Sequence, residues 1–180
     1  SLKLPWSKAR RLRGSICPQA MFNPLNKNGT ETYKNLHVSN DLKYFGWYKP
    51  TKQFKAVPEW DCDLITNSKN MTTNIPWWKI PDFSSPPTDI KNIWEPSRFE
   101  WAPQLAQMYL KGNKEAIENL NSWVSSWIHS NPPYLGPNWK CGQEASIRLI
   151  NSLIASLFLS QHLNPTKTLS DFTKVHLKRI

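Results

Sequence analysis

The chain has 180 residues, with 23 Lys and Arg against 13 Asp and Glu, so its formal net charge is +10. Hydrophobic residues make up 39% of it, enough for a folded core, which argues against a chain that is disordered throughout. Ten Trp and 15 Pro beside only six Gly exclude collagen-like, glycine-rich and coiled-coil sequences.

Residues 1–88 are predicted to form a long irregular arm. Nine prolines interrupt any long helix in this part of the chain. The arm is nevertheless rich in large aromatic side chains, among them Trp47, Trp60, Trp77 and Trp78. Because such side chains bury much area when they pack, we expect the arm to wrap over a partner surface rather than act as a flexible linker.

The positive charge is concentrated in this arm. Residues 1–55 hold eleven Lys and Arg against Glu31 and Asp41, a net charge of +9, whereas the remainder carries +1. Such an asymmetry suggests an anionic partner, either a nucleic acid or a polyanionic sugar. The chain has no RNA-recognition, KH or helix-turn-helix signature, so a nucleic acid is the weaker of these two hypotheses.

Helical periodicity begins at Asp89. Ser97 and Glu100 fit a capping box for a first helix, which Pro103 should kink and Gly112 should end.

A second helix follows, which Asn113 can cap. Its apolar residues recur with helical spacing from Ile117 to Ile128, and Asn131 with two prolines after it stops the pattern.

A third helix is predicted from about Gly142 to Gln161. Apolar residues cover most of its circumference, so we expect it to be buried on most sides. Ser170 can cap a fourth helix that places Phe172, Val175 and Ile180 on one face. Helices joined by short loops predict an all-α fold behind the N-terminal arm.

One polar stripe interrupts the apolar third helix. Glu144, Arg148 and Asn151 fall at i, i+4 and i+7, so Glu144 and Arg148 can pair, and Glu95 with Arg98 supplies a second pair. Buried charges are costly unless they are paired. Either these charges form a network that locks helix to helix, or the stripe lines a cleft for a polar ligand.

The loop before the third helix supports the idea of a cleft. Asn138, Trp139 and Lys140 enter a helix N-terminus, where backbone N–H groups favour an anion. Trp139 offers a flat face for stacking on a sugar ring, or else packs in the core. Asn138, Lys140 and Gln143 offer donors for hydroxyl and carboxylate groups.

Other chemistries have little support in the sequence. The four histidines lack metal-ligand spacing, and no nucleophile elbow, P-loop or dinucleotide fingerprint is present, so we expect no metal or cofactor. Tyr134 could act as an acid or base, although a packed loop tyrosine is the simpler interpretation. No run of about 18 apolar residues predicts a membrane span, and no signal peptide is visible.

Three longer segments carry a resemblance to a known family. They are PWWKIPDF (76–83), TDIKNIWEPSRFEWAPQLAQ (88–107) and NPPYLGPNWKCGQEASIRL (131–149), with HLKRI (176–180) at the close. Over about residues 40–180 the chain resembles the heparinase II/III-like proteins, and more narrowly the forms that accompany bacterial surface-polysaccharide synthesis. The resemblance implies a bacterial protein, whether cytoplasmic or periplasmic.

The resemblance implies an α/α-toroid followed by a β-sandwich domain. Active members of the family are lyases that cleave uronic-acid polysaccharides by β-elimination. An Asn or similar donor neutralises the uronate carboxylate, a Tyr or His removes the C5 proton, and a Tyr protonates the leaving oxygen.

The resemblance places these catalytic residues beyond HLKRI, so none is assigned to this chain. We therefore expect an incomplete toroid, with residues 1–88 as the arm and 89–180 as the start of the toroid. The rest of the toroid and the β-sandwich would be missing, and these 180 residues alone would be inactive. The arm tryptophans would anchor the arm to the toroid.

The resemblance also places two sets of residues near or under the cleft. The substrate-binding set would be Asn138, Trp139, Lys140, Gln143, Glu144 and Arg148, supported by Glu95, Arg98 and Asn151.

Three functions remain open from the sequence. The first is the N-terminal part of a lyase that acts on an acidic polysaccharide. The second is a glycan-binding or polysaccharide-assembly protein without catalysis. The third is a protein that binds nucleic acid through residues 1–55.

Overall fold

The computed structural model describes residues 20–24, 41–50, 54, 56–69, 73–81, 89–160 and 163–180. Helices dominate this part of the chain: α1 (Lys91–Ser97), α2 (Trp101–Leu110), α3 (Glu115–Ser130), α4 (Gly142–Leu159) and α5 (Lys167–Leu177). Two short 3-10 helices cover Trp77–Lys79 and Pro137–Trp139. The predicted all-α character is confirmed at this level, and the incomplete α/α-toroid stays a prediction.

Helix α1 was not expected from the sequence, and the first expected helix begins at Trp101, as α2, rather than directly after Ser97. Between them, Phe99 takes a left-handed conformation, with φ +63°. The Ser97 hydroxyl accepts a hydrogen bond from the Trp127 indole (2.9 Å) and does not cap a helix. Pro103 lies in the first turn of α2, where its missing N–H has no intrahelical partner to lose.

Aromatic side chains from successive helices form the centre of the core. Helix α2 packs on both α3 and α4, and α5 packs on α4. The rings of Trp101 and Trp123 have centroids 5.0 Å apart, and Phe99 lies 4.6 Å from Trp101 and 5.8 Å from Phe172. These stacked, tilted and edge-on contacts add to the large apolar area that the side chains bury.

Described parts of the arm belong to the same core. Strand β1 (Phe22–Pro24) pairs antiparallel with β2 (Leu163–Pro165), which lies between α4 and α5, and this small sheet was not expected. Trp60 is buried with its ring 6.1 Å from Trp101, so here the arm is anchored on the helices as predicted.

A second part of the arm is hydrogen-bonded to the loop before α4. The Gly136 N–H donates to the Ile75 carbonyl (2.8 Å), and the Trp77 N–H donates to the Tyr134 carbonyl (3.1 Å). Gly136 has φ +81°, and a Cβ there would lie 3.0 Å from the Thr73 carbonyl oxygen, so glycine suits this close approach. These contacts bring Trp77–Lys79 beside the start of α4.

Helix α4 exposes an apolar stripe, and the expectation that it is buried on most sides is wrong. The stripe comprises Ile150, Leu153, Ile154 and Leu157, which follow the i, i+3, i+4, i+7 spacing. These side chains are 37% to 71% exposed. Its buried residues lie on other positions of the helix, among them Ala145, Leu149 and Leu159. Helix α4 is therefore buried on one side and exposed on another, although apolar residues occupy nearly all of its circumference.

The starts of α3 and α5 also differ from expectation. Helix α3 covers the predicted second helix and ends before Asn131, but no side-chain hydrogen bond from Asn113 caps it. Helix α5 begins at Lys167 rather than at Ser170, and the Thr166 hydroxyl before it donates to the Ala20 carbonyl (2.6 Å). Among the described ranges, no helix has both the length and the apolarity to cross a membrane.

Candidate functional site

Arg98 joins two glutamates that come from different helices. Its Nε and Nη2 donate to the two Glu144 carboxylate oxygens at 2.7 and 2.9 Å, a bidentate pair between the end of α1 and the first turn of α4. Its Nη1 donates to Glu95, whose other oxygen accepts from the Phe45 backbone N–H. The Glu144 hydrogen bond raises the pKa of Arg98. The contact between Arg98 and Glu95 confirms the predicted pair of these two residues.

Arg148 is fully buried and makes no ion pair with Glu144, which corrects the predicted i, i+4 pair. Its Nε donates to His176 Nε2 (2.9 Å), and its Nη1 and Nη2 donate to the carbonyls of Ser97 and Asn138 (both 3.0 Å). Burial lowers the pKa of Arg148 to about 9, so the guanidinium is still charged at neutral pH.

The Arg148 guanidinium also lies against two indole rings. Its Cζ is 4.2 Å from the Trp127 ring centroid and 5.4 Å from that of Trp139. Cation–π contacts of this kind are strongest when the cation is desolvated, as it is here. Arg148 thus connects α1, α4, α5 and the 137–139 turn from inside the core.

His176 must be neutral to hold this arrangement. Its Nε2 accepts from Arg148, so the ring proton is on Nδ1, which donates to the Phe172 carbonyl (2.8 Å). Burial lowers the pKa of His176 well below its ordinary value of 6.5, and the adjacent Arg148 charge lowers it further.

Asn138 and Trp139 are buried beneath the surface, so the predicted sugar platform at Trp139 is not presented to solvent. The Trp139 side chain is 0% exposed, and its indole N–H donates to the Asn131 carbonyl (3.1 Å). Asn138 donates to the Trp60 carbonyl (2.9 Å) and to Asn131 Oδ1 (2.8 Å). Both residues therefore serve the packing of the loop on the helices.

Asn151 likewise serves the fold. Its Nδ2 donates to the Arg98 carbonyl (2.8 Å), which helps to fix the end of α1 against α4. Of the polar stripe, Glu144, Arg148 and Asn151 all bond to other parts of the protein. The interpretation of these charges as a network that locks helix to helix agrees with this geometry.

Lys140 and Gln143 reach the surface near the start of α4. Gln143 is exposed, whereas Lys140 is half-buried and its Nζ donates to the Ile80 carbonyl. Arg179 lies beside them, since its Nε donates to the Trp139 carbonyl (2.7 Å) and its Nη2 to the Lys140 carbonyl. A Cβ on Gly142, the first residue of α4, would lie 3.4 Å from Arg179 Nη1.

Arg179 also stacks on the arm. Its Cζ is 4.0 Å from the Trp77 ring centroid, and Trp77 meets Trp78 edge to face at 5.7 Å. Trp78 is 40% exposed and Lys79 is exposed next to it. We refer to Trp77, Trp78, Lys79 and Arg179 as the basic–aromatic patch.

The basic–aromatic patch adjoins the N-terminus of α4 through Arg179, and the N-cap residue Cys141 makes no side-chain capping bond there. Backbone N–H groups at such an end favour an anion, and the guanidinium and ammonium groups of the patch add positive charge. Trp139, the tryptophan predicted for an anion site at this helix end, is buried, whereas Trp78 of the patch is exposed. In the sequence, the motif PWWK (76–79) places a cation beside two aromatic rings.

A second exposed tryptophan lies on a tight turn of the arm, Tyr44–Tyr48. Tyr44 and Tyr48 exchange both backbone hydrogen bonds (2.8 Å each), and Phe45 and Gly46 have φ values of +53° and +73°. Trp47 at the tip is 68% exposed. The Phe45 N–H bond to Glu95 ties this aromatic turn to the Arg98 network.

Tyr134 is a packed loop residue rather than an accessible acid or base. Its hydroxyl donates to the Val175 carbonyl (3.1 Å), and burial raises its pKa. In the part of the chain that the structure describes, no group of three or more His, Cys, Asp or Glu side chains could hold a metal ion. Residues 1–19, which hold five of the eleven Lys and Arg in residues 1–55, lie outside the described residues.

Comparison with known proteins adds no relative: no family model, curated protein or solved structure matches the chain.

Proposed function

We propose that this chain is the helical part of a heparinase II/III-like protein and binds an acidic, uronic-acid polysaccharide. The observation that carries the proposal is the basic–aromatic patch at the N-terminus of α4. An exposed indole gives a sugar ring an apolar face, and neighbouring cations and helix N–H groups suit its carboxylate. The motif PWWKIPDF that contributes Trp77, Trp78 and Lys79 is one of the segments that resemble the family.

The remaining charges favour the patch over the buried arginines as the binding surface. Arg98 is neutralised by Glu95 and Glu144, and Arg148 is enclosed in the core. A uronate carboxylate that approached either of them would have to displace existing bonds. Lys140 and Gln143, by contrast, stay candidates for sugar contact because they border the patch.

Binding of an acidic glycan tests the proposal directly. We expect heparan sulfate or alginate to bind the full chain with an affinity that falls as salt rises, and neutral dextran not to bind. The changes Trp78→Ala and Lys79→Gln should each weaken this binding about tenfold, an effect of about 1.4 kcal/mol. Isothermal titration calorimetry measures both.

The matched control is Lys111→Gln, which removes an exposed lysine at the end of α2. It has the same effect on net charge as Lys79→Gln. Equal losses of affinity from the two changes would therefore mean that binding depends on net charge alone and not on the patch. Binding of DNA as tight as that of the acidic glycan would favour the nucleic-acid alternative, with the same steep dependence on salt.

Glycan binding without cleavage is the second candidate function. Tyr134, the one acid or base that the sequence suggested in this chain, has its hydroxyl bonded to a backbone carbonyl. Elimination would produce an unsaturated sugar that absorbs in the near ultraviolet. A protein that contains these residues, binds acidic glycans and releases no such product would support the second candidate over the lyase.

A further inference from the structure

We infer that the aromatic turn Tyr44–Tyr48 is a second sugar platform, with Trp47 as its stacking surface, for the same acidic polysaccharide. The inference rests on the proposed function, because it extends the binding surface beyond the basic–aromatic patch. It assigns a role to Trp47, which the sequence analysis treated only as an arm aromatic.

Trp47 is presented to solvent on a backbone that is held in place. Its own N–H donates to the Tyr44 carbonyl (3.1 Å), inside the paired hydrogen bonds of Tyr44 and Tyr48. Phe45 and Tyr48 support the indole at centroid distances of 6.4 and 6.0 Å. A rigid, exposed indole loses little conformational entropy when a ligand stacks on it.

The size of this surface suits a sugar ring. A whole tryptophan side chain buries at most about 250 Å², so an indole that is 68% exposed offers roughly 170 Å². A standard protein interface needs about 800 Å² from each partner. The isolated indole is therefore much too small for a protein partner and comparable with one face of a monosaccharide.

The charges beside the turn fit an acidic sugar. Lys43 is exposed on one side of the turn, and Lys49 on the other side pairs with Asp41 (2.6 Å). Because Asp41 offsets the charge of Lys49, the charge of Lys43 makes the net charge of these three residues positive. A uronate stacked on the indole would therefore lie in a favourable potential.

A continuous series of contacts joins the aromatic turn to the basic–aromatic patch. Phe45 bonds to Glu95, Glu95 to Arg98, and Arg98 to Glu144 in the first turn of α4. Gly142 in the same turn adjoins Arg179 of the patch. Both platforms are thus connected to the first turn of α4, and the inference is that a ligand with several sugar units reaches both.

The consequence is a dependence of affinity on chain length. A short oligosaccharide occupies one platform, whereas a longer one can reach both, and the second contact then forms within the same complex. We expect affinity for uronate oligosaccharides to rise with length and to reach a plateau once both platforms are occupied.

The experiment titrates the full chain with a series of alginate oligosaccharides of increasing length. Trp47→Ala should weaken the longest members about tenfold and leave the shortest unchanged, the scale expected for one lost stacking contact. Trp47→Phe should retain most of the affinity because it keeps an aromatic face. Leu157→Ala is the matched control, since it removes an exposed large apolar side chain of α4.

The possible outcomes distinguish a failure of the second platform from a failure of the proposed function. If Trp47→Ala matches the unchanged protein at every length, the second platform is overturned while the proposed function stands. An equal loss at every length would place Trp47 in the same subsite as the patch and would also overturn it. If the unchanged protein binds no acidic oligosaccharide, the proposed function fails and the inference with it. Circular dichroism confirms that each variant is folded.

Discussion

Arg98 and Arg148 belong to the same group of polar residues in the sequence, yet they lie in opposite environments. Arg98 is partly exposed and pairs with two carboxylates, whereas Arg148 is enclosed by two indoles, an imidazole and two backbone carbonyls. Arg98 therefore acts mainly through its charge, and Arg148 mainly through the direction of its N–H groups. The difference predicts that the same substitution has unequal effects at the two positions.

Arg148→Lys should give the larger loss of stability. A lysine keeps the charge, but its single ammonium cannot reach three acceptors that lie in three directions, and it lacks the flat face that contacts Trp127. Unsatisfied buried groups cost about 1–3 kcal/mol each, so we expect the free energy of unfolding to fall by about 3 kcal/mol. Arg98→Lys should lower it by only about 1 kcal/mol, since its carboxylates keep a cation.

Urea unfolding followed by tryptophan fluorescence measures both changes. Equal losses at the two positions would contradict the comparison, because they would mean that the direction of the N–H groups matters no more at Arg148 than at Arg98. An intact slope of free energy against urea in both variants would show that the native state stays compact.

Acidification should destabilise the region around Arg148, because His176 is buried there as a neutral ring. The pKa of His176 in the folded protein lies well below 6.5, the value expected for the unfolded chain. Its contribution is therefore fully present above pH 6.5 and is lost as the pH falls from 6.5 toward the lower pKa of the folded state. Because one proton is taken up on unfolding, the free energy of unfolding can change by at most about 1.4 kcal/mol per pH unit.

The measurement is the free energy of unfolding between pH 7.5 and 5. His129 is exposed on α3, so His129→Gln is the matched control and should leave the slope unchanged. A stability that is constant over this range would disprove the neutral, buried state of His176.

Sequence periodicity located α2, α3, α4 and α5 but not α1, and it specified the buried face of some of these helices and not of others. The spacing from Ile117 to Ile128 predicted α3 correctly, because one apolar face and one polar face leave a single orientation toward a core. Helix α4 is apolar on nearly all sides, so the pattern could not indicate that Leu157 would be exposed and Leu149 buried. Which apolar face has a neighbour depends on tertiary packing, which periodicity does not contain.

The candidate site was predictable in part for a similar reason. The spacing of Glu95 and Arg98 specified their pair, because both lie on one short helix. The partner of Arg148 was not specified, since His176 lies on α5 and meets it only through the fold. Trp139 and Trp78 have the same chemistry in the sequence, and only burial separates the packed indole from the exposed one.

The smallest expected effect is the coupling energy between Glu144 and each arginine, and it distinguishes Arg98 from Arg148 most clearly. Glu144 is bonded to Arg98 but only acts at a distance on the Arg148 charge. In double-mutant cycles, Glu144→Gln should therefore couple to Arg98→Lys by about 0.5–1 kcal/mol. Its coupling to Arg148→Lys should be smaller than about 0.5 kcal/mol. The cycles use the same urea titrations, and a larger coupling to Arg148 than to Arg98 would mean that Glu144 acts mainly on Arg148 and not on its bonded partner.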